Sequence, residues 1–251
     1  MGLGKLAAAA MAAAAISLIC DAAAMAQSEM TPDQRRAMHE VIRSYLLDNP
    51  EVIADAIRML EEKQRAAAER DARLALDVHR RALVDDPETP SQGAADADVT
   101  LVEFFDYRCG VCRRVYPVVA DLTSADRKIR RVYKDWPILG PESVYAARAA
   151  LASRYQNRYV EFHHAMMESR VNLTEQTILD IGVRVGLDKA QLLRDMERPE
   201  IEAQLRRNFE LADALKLNGT PSFVIGDNVV RGARDLKTLK GLVAEARASK
   251  K

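Results

Sequence analysis

The sequence predicts an α/β protein, and three observations carry that expectation. Between residues 99 and 248, short runs rich in Val, Ile and Phe alternate with longer segments of helical periodicity. A block over residues 143–217 is almost wholly helical in pattern and interrupts the alternation. Ahead of both, residues 31–83 carry helical spacing and no strand signal. With 251 residues, 48% of them hydrophobic, the chain can fill the core of one medium domain plus an accessory segment. Lysine and arginine number 37, aspartate and glutamate 37, so no long-range field draws the chain to nucleic acid or anionic lipid. Partners must be recognised by local chemistry.

Residues 1–26 read as a secretory signal. Lys5 gives the positive start, residues 6–20 are small or apolar apart from Ser17, and Ala24, Met25 and Ala26 offer a cleavage site before Gln27. The apolar run stops at Asp21, short of the roughly 20 residues that span a bilayer, which disfavours a retained anchor. A lipid-anchored Cys20 is disfavoured by bulky Ile19. Cleavage predicts a periplasmic or otherwise exported chain with two cysteines left, three positions apart, too few for a disulfide framework.

Residues 27–86 form the next expected unit, a helical association segment and spacer. Thr31 and Pro32 open a helix whose apolar face is Met38, Val41, Ile42, Tyr45 and Leu46, and Asp48, Asn49 and Pro50 break it and start another. The second helix runs to about Leu83. Val52, Ile53, Ala56, Ile57 and Leu60 make its first half amphipathic, whereas beyond Glu61 the stripe thins to Ala67, Leu74 and Val78 among charges, which predicts a solvated spacer. Residues 87–98, with Pro87, Pro90, Ser91 and Gly93, read as a linker.

Residues 99–251 then form the main domain. Residues 99–105 are a buried strand, 110–122 a helix and 129–136 a second strand. The helical block, an insertion at about residues 140–217, has expected breaks near Asn172, Gly186 and Pro199. Residues 222–225 and 229–231 form a hairpin about Gly226, Asp227 and Asn228, and residues 236–248 close with a helix. This order is that of a thioredoxin-like core with a helical insertion, preceded by an N-terminal helical segment.

Cys109, Gly110, Val111 and Cys112 fall where strand gives way to helix. There the free backbone N–H groups and the helix dipole stabilise a thiolate at Cys109, while Cys112, one turn in, can resolve a mixed disulfide. Arg108, Arg113 and Arg114 add to this if they turn toward the sulfur. A structural disulfide over so short a loop removes little unfolded-state entropy. A zinc site needs further ligands, and His163 and His164 are neighbours on a helix that point to different faces, so neither metal nor cofactor is expected beyond a redox-active Cys109–Cys112 disulfide. Glu103 lies in the strand six residues before Cys109; burial there raises its pKa and suits it to exchange the Cys112 proton, unless it reaches water at the strand edge. Thr220 and Pro221 open a later strand. The proline is either a turn marker or a cis residue that leaves the Thr220 backbone free to pair with extended substrate beside Cys109.

Val102 through Cys112, the helical block, and Gly219 through Phe223 together resemble the DsbA family of the thioredoxin superfamily, over roughly residues 99–248. The resemblance implies that Cys109 attacks, Cys112 resolves, Glu103 moves the proton and Pro221 is cis. Its strongly oxidising members carry proline and histidine between the cysteines. Here Gly110 and Val111 stand instead, which implies a milder potential within the family range of about −270 to −120 mV. The N-terminal region is similar to the suppressor-of-copper-sensitivity protein C subgroup. That likeness implies a homo-oligomer, often a trimer, through residues 38–60, with docking onto the chain's own catalytic domain as the rival. It implies disulfide reduction or isomerisation in cysteine-containing envelope proteins, reset by a membrane redox partner. Net oxidation and copper(I) binding by the reduced pair stand as alternatives.

Overall fold

The computed structural model describes residues 30–94 and 96–249, so the expected signal segment, residues 1–26, lies outside the described residues. The chain divides into two units, Met1–Lys63 and Gln64–Lys251.

In the first unit, α1 (Pro32–Asp48) starts as its sequence requires. The Thr31 hydroxyl accepts the Gln34 N–H at 3.2 Å, the Gln34 side chain accepts the Thr31 N–H at 3.0 Å, and Pro32 occupies the first turn, where no donor is lost. Asn49 and Pro50 end it, and α2 (Glu51–Val84) begins. No residue of α1 is buried. No helix among the described residues is long and apolar enough to cross a membrane.

The second unit is built on a five-stranded sheet, β1 (Ser91–Gln92), β2 (Val99–Phe105), β3 (Ile129–Asp135), β4 (Ser222–Ile225) and β5 (Asn228–Arg231), in the order β1-β3-β2-β4-β5. β2 and β3 run parallel, with Glu103 opposite Tyr133 and Phe105 opposite Asp135; β4 joins β2 antiparallel, and β5 and β1 form the two edges, both antiparallel to their neighbours. A parallel β2–β3 pair needs a crossover, supplied by α3 (Gly110–Ala125). The helical block follows as α4 (Pro141–Ala152), a 3₁₀ turn (Ser153–Gln156), α5 (Tyr159–Met167), α6 (Glu175–Arg184), α7 (Lys189–Met196) and α8 (Pro199–Ala214), and α9 (Leu236–Ala248) closes the chain. The break at Ser153–Gln156 escapes a pattern reading because its cause is conformational: Asn157 takes a left-handed φ of 56°.

Strand periodicity sorts the core. Val99, Leu101, Ile129, Phe223 and Ile225 pack with Val115, Val119 and Leu122 of α3 and Leu239 and Val243 of α9. Val102, Phe104, Val132 and Val224 point the other way, onto Leu76 and Leu83 of α2 and Leu211 and Leu215 near the end of α8. Glu103 and Phe105 alternate with Val102 and Phe104, so they share the face that α3 covers.

Two boundaries differ from the sequence reading. Most of the later half of α2 is solvent-exposed, as its charges predict, but it is not only a spacer: Ala72, Leu76 and Leu83 are buried, while Leu74 and Val78 of the expected stripe are 62% and 77% exposed. A sheet face lined by valine and phenylalanine needs a cover, and that demand selects a stripe which the charged sequence around it conceals. Residues 87–98 are not a free linker either. Thr89 is buried, Ser91 and Gln92 pair with Val132 and Arg131, and the Tyr133 hydroxyl donates to Gln92 at 2.7 Å. An edge strand is held by backbone hydrogen bonds, which composition does not register.

Candidate active site

The redox turn begins where β2 ends. Asp106 follows the strand directly and is buried; its carboxylate accepts the Arg108 N–H at 2.8 Å and the N–H groups of Ile138 and Leu139 at 2.9 and 3.1 Å. Its carbonyl accepts the Cys109 N–H at 3.0 Å. One residue thereby ties the cysteine turn to the loop after β3. Cys109 is the N-cap of α3, with extended backbone (φ −71°, ψ 109°), and its sulfur accepts the Cys112 N–H at 3.3 Å. From the far end of the sequence, the Thr220 carbonyl oxygen lies 3.3 Å from the Cys109 sulfur and accepts from it while the thiol is protonated; the Thr220–Pro221 bond is cis.

The two sulfurs are driven apart electrostatically. The hydrogen bond from the Cys112 side chain lowers Cys109 to about 5 against the opposing effect of burial, and the Thr220 side chain and the N–H groups of Cys112 and Val111 add to the lowering. That same hydrogen bond, together with burial, pushes Cys112 far above the ordinary thiol range. Both cysteines are free thiols. Arg108 does not serve the thiolate, since its guanidinium binds Glu142 at 2.6 Å.

Of the residues singled out in the sequence, Cys109, Cys112, Thr220 and Pro221 meet at one place. Glu103 is buried at 1% exposure, as expected of a residue behind the pair rather than at a wet edge, yet it hydrogen-bonds neither cysteine. Its Oε2 accepts from Nε and Nη2 of Arg131 at 2.9 and 2.5 Å, and Arg131 is itself fully buried. Burial therefore acts on an ion pair and not on a lone acid, because Arg131 stands two residues before Tyr133, the register partner of Glu103, on the same face. Sequence reasoning missed both Arg131 and Asp106. Asp106 leaves a local signal, an aspartate after a strand and two residues before an N–H it can accept. Arg131 leaves none until the register is known.

A thiolate held at a helix N-terminus, a raised resolving thiol behind it and a cis-proline strand alongside define a thioredoxin-fold protein with a redox-type cysteine pair. Residues 85–245 match the thioredoxin family, and residues 34–67 match the copper resistance protein ScsC N-terminal domain. The chain belongs to the thioredoxin family, and within it the likeness is to DsbA-like oxidoreductases of the ScsC type. A thioredoxin-like oxidoreductase from Silicibacter pomeroyi is 47% identical, with 67% of this chain and 98% of that one covered and a TM-score of 0.66. Proteus mirabilis ScsC in a transitional conformation is 29% identical over 88% of this chain and 99% of its own, with a TM-score of 0.65. The thiol-disulfide exchange protein alpha-DsbA2 of Wolbachia pipientis is 30% identical over 71% and 97%, with a TM-score of 0.67. Among curated relatives, the chain spans 26% of the length of the Na(+)/H(+) antiporter NhaA 3 of Salinispora tropica, with 26% identity over 168 residues.

Proposed function

We propose that this chain is an exported protein thiol-disulfide oxidoreductase that reduces or isomerises disulfides in envelope proteins. The observation that carries the reading is the Cys109 sulfur at the N-cap of α3, with the Cys112 N–H and the Thr220 carbonyl each at 3.3 Å. The Cys109 thiolate attacks one sulfur of a substrate disulfide; the Cys109–substrate S–S bond forms, the substrate S–S bond breaks, and the departing thiolate takes up a proton. Cys112 then gives its proton, relayed by solvent because no hydrogen bond joins the two side chains, to Oε1 of Glu103, the oxygen that Arg131 leaves unengaged, and attacks the Cys109 sulfur, breaking the Cys109–substrate bond. The second substrate thiolate leaves, and a Cys109–Cys112 disulfide remains. During this sequence the extended substrate strand pairs with the backbone of Thr220 beside Pro221. A membrane thiol donor returns the pair to its reduced form.

The first unit supports isomerisation over simple reduction. Met38, Val41, Ile42 and Tyr45 of α1, and Val52, Ile53, Ile57 and Leu60 of α2, are exposed, and apolar surface of this extent is normally covered by another chain. A homo-oligomer, a trimer on the ScsC likeness, presents several redox turns to one misfolded client. The match of residues 34–67 to a copper resistance domain favours a second reading, in which the reduced pair binds copper(I). Refolding of scrambled ribonuclease by the full chain tests the first reading: recovery of activity that Cys109→Ser abolishes supports it. Stoichiometric copper(I) uptake with no thiol exchange overturns it in favour of the second.

A further inference from the structure

Behind the redox turn lies a buried polar cluster that the proposed mechanism does not use. Asp135, the last residue of β3, is buried and stands opposite Phe105, four residues before Cys109. The Tyr159 hydroxyl of α5 donates to its Oδ2 at 2.8 Å, while Oδ1 has no hydrogen-bond partner. Tyr107, two residues before Cys109, meets Nδ1 of His163 through its hydroxyl at 3.0 Å, and His163 stacks on Tyr159. All four side chains are buried.

The groups packed around Asp135 leave its charge uncompensated. On its own strand Arg131 is bound to Glu103, and Tyr133 is a phenol whose ionisation burial opposes. From the redox turn come Asp106, whose negative charge acts on Asp135, and Tyr107. From α5 come Tyr159 and His163, the latter kept neutral by burial and by the Arg131 charge. From α8, Asn208 donates to the Asp135 carbonyl and not to its carboxyl. A buried carboxyl with one donor at Oδ2 and no partner at Oδ1 is easier to bury protonated, because the neutral acid carries no charge for that single donor to compensate. Burial accordingly raises Asp135 to about 7 in this reduced form, with the Tyr159 and Tyr107 hydroxyls opposing the rise.

We propose that Asp135 is a proton-linked positioning residue for the redox turn, a buried acid whose ionisation tunes the Cys109 thiolate through Asp106 and Tyr107. The proposal rests on the thiol-disulfide reading of the same site. When two glutathione thiols reduce the Cys109–Cys112 disulfide, the products are oxidised glutathione, a Cys109 thiolate, a Cys112 thiol and one proton. The new thiolate adds a negative charge beside the turn and makes Asp135 harder to ionise. Asp135 therefore captures part of that proton near neutral pH, and by reciprocity its own ionisation disfavours the reduced pair.

The test combines two measurements on the full chain between pH 5.5 and 8.5. Carbon-13 NMR of the Asp135 carboxyl in the wild-type protein is expected to show titration near neutrality in the reduced form and at lower pH in the disulfide form. The glutathione equilibrium of the pair is expected to show an added break in its pH dependence, about fivefold or more in equilibrium constant at the coupling strengths typical of linked sites. Asp135→Asn removes that break, and Tyr159→Phe, which withdraws the donor to the carboxylate, moves it to higher pH. Identical Asp135 titration in the two redox forms, or a break that survives Asp135→Asn, overturns the proposal. Cys109 alkylation is followed in the same samples: a reactive Cys109 beside a redox-insensitive Asp135 defeats this inference alone, and an unreactive Cys109 defeats the functional reading. Should Asp135→Asn not fold, the wild-type carboxyl titration decides.

Discussion

Two stretches of amphipathic helix in this chain dispose of their apolar residues in opposite ways. In the first unit Met38, Ile42, Tyr45, Ile53, Ile57 and Leu60 stand exposed; in the second, Ala72, Leu76 and Leu83 lie buried on the sheet face made by Val102, Phe104, Val132 and Val224. The helix Glu51–Val84 contributes to both stretches, and its richer apolar pattern belongs to the part left uncovered. Burial thus follows the presence of a complementary surface more than the density of apolar residues. The cysteine pair sits in the unit that has such a surface, whereas the apolar residues of the first unit stand exposed.

Five experiments test this contrast, beginning with the largest effect. Cys109→Ser should reduce insulin-disulfide reduction to background with the first unit untouched; retained turnover would place the chemistry elsewhere. Arg131→Ala strands the Glu103 carboxylate in the sheet and should lower stability by about 3–5 kcal/mol, measured by urea unfolding, whereas Glu103→Gln with Arg131→Met should recover much of that loss. Leu76→Ala should destabilise by about 2–5 kcal/mol through the cavity it opens, against about 0.5 kcal/mol or less for exposed Val78→Ala on the same helix. Equal effects at these two sites would erase the distinction between covered and uncovered helix. Ile42→Glu with Ile57→Glu should lower the mass in solution while leaving the pH profile of Cys109 alkylation in place, with half-maximal rate near pH 5 and loss of reactivity below it as the thiol regains its proton.

A pH-dependent effect is expected at Lys134. Its ammonium is buried against the end of α2, donating to the Ala82 carbonyl at 2.9 Å and to Thr89 at 3.0 Å, and burial lowers it to about 8. The unfolded chain holds that proton to higher pH, so the folded state binds fewer protons between about pH 8 and 10.5, and stability rises with pH across that window. Below about pH 8 both states are protonated, and the penalty for burying the charge is then constant. The thermal midpoint of the wild-type protein should gain on that of Lys134→Met over the window by up to roughly ten degrees, which differential scanning calorimetry resolves.

Local sequence was sufficient wherever the physics is local. Thr31 and Pro32 start a helix, Asn49 and Pro50 stop one, and Cys109 at a strand-to-helix junction places a sulfur among free N–H groups; each of these is settled within a few residues by capping and backbone geometry. The core strands and the hairpin at Gly226 were legible for the same reason. The remaining contacts join partners distant along the chain and needed the folded structure to be seen. Arg131 meets Glu103 through strand register, Asp106 meets Ile138 and Leu139 through loop placement, Ser91 and Gln92 become a strand because β3 offers an edge, and Leu76 and Leu83 are buried because a sheet face needs a cover. A hydrogen bond or an apolar contact has no sequence range of its own, so its partners are known only once the chain has brought them together.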